Sequence, residues 1–138
     1  MTWTFDSRSG RNPAEWWVDN VFDFAGVDHY SESESNATVA LPMWNSARAF
    51  FTQRGVKLAV GEWGNRGTDA KAAAEMQAFY DLAIRSGSDG QSQVVGLVYF
   101  DSDLNSPKGG WVLAGQPLDL FRRLMSVPTS LQATETGY

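Results

Sequence analysis

The chain has 138 residues, a formal net charge of −5 and no cysteine. The length suits one domain, and the acid excess, with 11 Lys and Arg that form no run, argues against a nucleic-acid partner. Disulfides, thiol catalysis and thiolate metal sites are excluded, no apolar run reaches the roughly 18 residues that cross a membrane, and "MTWTFDSRSG" reads as no signal peptide.

Four segments read as strands. They are "TWTF" (2–5), "VFDFAGVD" (21–28), "VKLAVG" (56–61) and "VVGLVYF" (94–100). The last two are nearly continuous apolar runs, which suit parallel strands covered on both faces. A short helical turn is expected at "PAEWW" after the first strand. After the second, "LPMWNSARAFFTQ" places Met43, Ala47 and Phe50 on one helical face, with Trp44 and Phe51 beside them. Pro42 suits a first-turn position there. After the third strand, Ala72, Met76, Phe79, Tyr80, Ala83 and Ile84 follow the helical period. Thr68 or Asp69 can cap that helix and Gly87 can end it. After the fourth, Pro117, Leu120, Phe121, Leu124 and Met125 form a stripe, with Arg122 and Arg123 near the negative C-terminus. Residues 126–138 show no period and read as a flexible tail behind a single unit, 1–125.

Strands alternating with helices predict an α/β fold with a parallel sheet. Two architectures fit: a small doubly wound sheet, or four βα units of an eightfold barrel. A complete barrel of that kind takes about 250 residues, so this chain would be half of one.

In either case function gathers at the C-terminal ends of the strands. Those ends supply Asp28, His29 and Tyr30, then Glu62, Trp63 and Asn65, then Tyr99, Asp101, Asp103 and Asn105, with Trp111 following. Carboxylates, aromatics and amides together are what a sugar site needs. Carboxylates carry the acid, base and nucleophile chemistry. Aromatic faces, for which Trp63 and Trp111 are candidates, stack on sugar rings. Amides and further carboxylates bond the hydroxyls. His29 is the single histidine, so a histidine metal cluster is not expected. "DSDLN" at 101–105 has the first spacings of a calcium loop, but Ser106 stands where Gly is needed and Val112 where Glu is needed. Asn36, in "NAT", fits a glycosylation acceptor by sequence alone.

The segments "FDFAGVDHYS", "KLAVGEWG" and "GLVYFDSDLNSPKGGWVL…PLDLFRRL" resemble the last strands of a clan A glycoside hydrolase barrel. The closest likeness is to glycoside hydrolase family 26, the β-mannanase-like group, across residues 3–125. The resemblance implies strands five to eight of the barrel and retaining hydrolysis of β-glycosidic bonds in a polysaccharide or oligosaccharide. It makes Glu62 the nucleophile and Tyr30 its hydrogen-bond partner. It leaves Asp28, His29, Trp63, Asn65, Tyr99, Asp101 and Trp111 as substrate-binding candidates. Where that family often carries a Trp near the end of the eighth strand, this chain has Tyr99 and Phe100. The family's general acid/base, a Glu ending the fourth strand, falls upstream of Met1 in this alignment. The chain would then hold only the nucleophile half of the site. No cofactor or metal is required. Self-association or binding of the missing barrel half is expected, and secretion is implied for a full-length relative. A non-catalytic carbohydrate-binding fragment and a doubly wound α/β protein are the rival readings.

Overall fold

The structure is a computed structural model, and it describes residues 2–6, 13–31, 37–104 and 110–127. The strands are β1 (Thr2–Asp6), β2 (Phe24–Ser31), β3 (Lys57–Asn65) and β4 (Val94–Tyr99). The helices are α1 (Ala37–Thr52), α2 (Ala70–Ile84) and α3 (Gly115–Met125), and a 3-10 turn, Pro13–Glu15, stands between β1 and β2. All four strands are parallel and lie side by side in chain order. This is the α/β half-barrel arrangement of four βα units. The order has no reversal, so the switch point of a doubly wound sheet is missing. No described helix is long and apolar enough to cross a membrane.

Local chemistry explains most of the boundaries. Asp69 caps α2, its Oδ1 accepting the Ala72 N–H at 2.9 Å. Gly87, at φ +88°, turns the chain two residues beyond the C-cap Arg85. Three boundaries depart from the sequence reading by more than one residue. β2 begins at Phe24 rather than at residue 21, because Asn20 adopts φ +63° and Val21 is left exposed after that turn. β3 runs past the apolar stretch to Asn65, since ladder pairing with β2 continues through Glu62, Trp63 and Gly64. α1 starts at Ala37, which puts Pro42 in its second turn rather than its first. Asn36 and residues 128–138 of the expected tail lie outside the described residues.

The core lies between the sheet and the helices. Ala25, Val27, Leu58 and Val60 are buried from the sheet side, and Trp44, Ala47 and Phe51 from α1. α2 adds Met76, Phe79 and Ala83, and α3 adds Leu120 and Leu124. Ile84, expected on that apolar face, is exposed at the end of α2. Buried Arg48 fixes α1 to the loop before β4. Its guanidinium makes paired bonds to Asp89 at 2.9 and 3.0 Å and also donates to the Ser92 carbonyl.

The other face of the sheet has no helix on it among the described residues. Phe24 is 44% exposed there and Val98 59%. Of the two covered faces the apolar runs suit, the described helices account for one.

One extra residue decides which side chains reach that open face. Val27 pairs with Val60, but the next residue, Asp28, pairs with Glu62. Gly61 is the surplus residue, a β-bulge in β3. Leu58 and Val60 face the helices below it, and Trp63 and Asn65 face them above it. Glu62 and Gly64 are turned to the open face.

Candidate active site

The bulge brings Glu62 beside Asp28 and Gly64 beside Tyr30, all on the open face near the C-terminal ends of β2 and β3. Tyr30 Oη donates to Glu62 Oε2 at 2.5 Å. The bond holds one carboxylate oxygen and leaves the exposed Glu62 side chain reachable from the open face.

The tyrosine is itself held. A Cβ at position 64 would stand 2.7 Å from Tyr30 Cδ1 and 3.1 Å from Trp111 Cε3. Only glycine admits both rings that close. Trp111 packs at 4.5 Å between ring centroids on Tyr30, and Phe100 meets Tyr30 edge-on at 5.9 Å. The Arg66 guanidinium lies 4.1 Å above the Trp111 ring, within cation–π range. The loop carrying Trp111 is tied down at both ends. The Trp111 N–H donates to the Ser102 carbonyl at 2.6 Å, and the Leu113 N–H donates to Asp101 Oδ1 at 2.9 Å.

The substrate-contact candidates therefore divide. Glu62, Tyr30 and Asp28 come together on the open face. His29, Trp63, Asn65 and Tyr99 do not: they lie on the helix side of the sheet. His29 stacks flat on Phe79 of α2, with centroids 3.9 Å apart. Trp63 is buried against Phe79 and Tyr99. Asn65 is buried, and its Nδ2 donates to the Ala72 carbonyl at the start of α2 at 2.5 Å. Tyr99 packs on Phe121 of α3 and exchanges hydrogen bonds with the Asn65 backbone at 3.1 and 3.2 Å. Burial raises the Tyr99 phenol above its usual range, and the nearby Asp101 charge adds to the rise. Trp111 does reach the site, but at 5% exposure it is a wall behind Tyr30 rather than a free platform. Asp101 anchors its loop through the Leu113 amide.

Gly61, Gly64 and Arg66 are not among the residues the sequence reading assigns to the site. The glycines in "VGEWGNRG" carried the signal, since glycine inside a strand marks a bulge or a close approach. Among the described residues no group of three or more His, Asp or Glu side chains could hold a metal ion. The calcium-like spacing extends to Asn105, which lies outside the described residues.

No family model and no curated protein matches the chain. A solved structure similar to it is Faecalibacterium prausnitzii Beta-glucuronidase, at 14% sequence identity and a TM-score of 0.56. The match covers 95% of this chain and 26% of that chain, so this chain spans about a quarter of the other's length. At that identity the likeness establishes the fold alone: four βα units in a partial-barrel arrangement.

Proposed function

We propose that the chain is the nucleophile-bearing part of a retaining β-glycosidase, with Glu62 as nucleophile and Tyr30 as the residue that aims it. The observation that carries this reading is the Tyr30–Glu62 hydrogen bond of 2.5 Å at the C-terminal ends of parallel strands. Barrel enzymes of this architecture act at that end.

In the proposed reaction a Glu62 oxygen attacks the anomeric carbon. The bond to the leaving-group oxygen breaks, and a glycosyl ester forms on Glu62. Water then attacks the same carbon and releases the carboxylate. A polysaccharide leaving group needs a proton from a second carboxyl group, which a retaining enzyme holds roughly 5–5.5 Å from the first. None of the residues assigned in this reading is that donor. Asp28, beside Glu62 in register, is the candidate for bonding a sugar hydroxyl. The finer placement in family 26, with its mannose-type substrates, is supported by the three sequence segments and by nothing else.

The test bypasses the missing proton donor. A 2-deoxy-2-fluoro glycoside with an activated aryl leaving group needs no acid to react, and its glycosyl ester hydrolyses slowly enough to be seen. Mass spectrometry should find one added sugar on the peptide containing Glu62, and none in Glu62→Gln. Tyr30→Phe should label about 10–100-fold more slowly, matching the roughly 1.5–3 kcal/mol of a hydrogen bond to a charged group. A manno-configured probe should label faster than a gluco-configured one. Absence of label with manno-, gluco- and glucurono-configured probes, or label on another carboxylate, would remove Glu62 from this role.

A further inference from the structure

We propose that Asp101 is a positioning residue for the nucleophile: its carboxylate closes the loop whose two limbs grip Tyr30, and Tyr30 in turn aims Glu62. The proposal deepens the glycosidase reading and rests on it for the reaction, while the grip itself can be measured without a substrate.

Tyr30 reaches Glu62 through its hydroxyl, so the direction of that bond follows the ring. Two other rings set it. Phe100 meets Tyr30 edge-on at 5.9 Å, and Trp111 packs on it at 4.5 Å between centroids. The two come from opposite limbs of the loop between β4 and α3. The outgoing limb is fixed to the sheet at its root, where the Phe100 N–H donates to the Trp63 carbonyl at 2.7 Å. The returning limb is fixed to the outgoing one. Asp101 Oδ1 accepts the Leu113 N–H at 2.9 Å, and the Ser102 carbonyl accepts the Trp111 N–H at 2.6 Å. Next along, a Cβ on Gly110 would stand 2.8 Å from Asp103 Cα. Of these three contacts, the one at the base of the loop is made by a side chain. It is also charge-assisted, a carboxylate accepting a backbone N–H.

The base contact lies beside both gripping rings. Asp101 directly follows Phe100, and Leu113 stands two residues past Trp111. The Asp101 bond therefore sets the separation of the rings on either side of Tyr30. Leu113 is buried in the core and Asp101 is exposed, so losing the bond shifts the returning limb without opening the fold. Oδ1 is engaged by the Leu113 amide, which favours this role over a sugar contact.

The role needs an acceptor at position 101 and no charge. Asp101→Asn keeps an oxygen in place of Oδ1, and Asp101→Ala removes it. In NMR spectra of the full chain, NOE cross-peaks between the Trp111 and Tyr30 rings should persist in Asp101→Asn and weaken in Asp101→Ala. The Leu113 amide should exchange faster in the alanine variant alone. With the activated 2-deoxy-2-fluoro glycoside, Asp101→Ala should label Glu62 roughly tenfold more slowly at saturating probe, since misplacing a reacting group costs up to about 10²-fold. The half-saturating concentration should not change, and Asp101→Asn should restore the rate. In a Tyr30→Phe background the alanine change should add little, because the bond it acts through is gone. Equal losses in the Asn and Ala variants would assign the effect to the charge or proton of Asp101 and overturn the proposal. Unchanged ring cross-peaks in Asp101→Ala would overturn it as well. If that variant loses its fold, Asp101→Leu removes the acceptor while keeping the bulk. A wild-type chain that never labels would end the glycosidase reading, and the ring cross-peaks would still decide whether Asp101 sets the grip on Tyr30.

Discussion

Tyr30 can reach Glu62 because position 64 has no side chain. Tyr30 and Trp111 occupy the space where a Cβ would be, with Tyr30 Cδ1 2.7 Å from that point. Gly64→Ala must push both rings, and Trp111 has the Arg66 guanidinium over it. Overpacking of this kind costs about 1–3 kcal/mol. We expect a lowered melting temperature together with slowed glycosyl labelling of an intact Glu62. Tyr30→Phe separates the two effects, since it leaves the packing and removes only the bond. A Gly64→Ala protein that labels at the wild-type rate would show that ring position does not govern the carboxylate. The close approach is legible in the sequence only as an unexplained glycine, because Trp111 arrives from a loop 47 residues downstream and nothing local announces it.

At the level of elements, the four βα units could be read from apolar runs alternating with helical periods. The direction of side chains along β3 could not. Counting every second residue from Leu58 and Val60 puts Glu62 on the helix side, and the Gly61 bulge reverses that. Periodicity has no memory of an inserted residue. This is also why Trp63 and Asn65, which the sequence places beside Glu62 at the strand end, fall on the helix side. The joints between elements carry a separate prediction. The bonds from the Arg48 guanidinium hold the Asp89 carboxyl down at about 2, below its ordinary 3.8, and the Gln91 backbone assists. A carboxyl depressed in the folded state stabilises the fold at pH values above its unfolded pKa. That contribution fades as the pH falls from about 3.8 through about 2. Denaturant unfolding of the wild type should therefore lose stability across this window. Asp89→Asn should start lower and show less of the loss. Parallel acid limbs in the two proteins would assign the loss to other carboxyls.

For the molecule as a whole, the open face governs what the purified chain can do. Hydrolysis of mannan, cellulose or mixed-linkage glucan should be weak or absent. General acid–base catalysis is worth about 10²–10⁴-fold, and the wall that would help position the chain of sugars is not among the described elements. Reducing-end release measured over hours checks this. Robust turnover would make Asp101 or Asp103, both exposed in the loop after β4, the candidate proton donor in place of a residue outside this chain. The strand order has a further consequence, for motion. Asp28 and Tyr30 lie on β2 and Glu62 on β3, the two strands with a neighbour on each side. Local opening begins where backbone bonding is one-sided, at β1 and β4. Amide hydrogen exchange should therefore find the β2–β3 ladder that sets Tyr30 against Glu62 slower than the outer sides of β1 and β4, and equal rates would show that the pair is not held by the interior of the sheet.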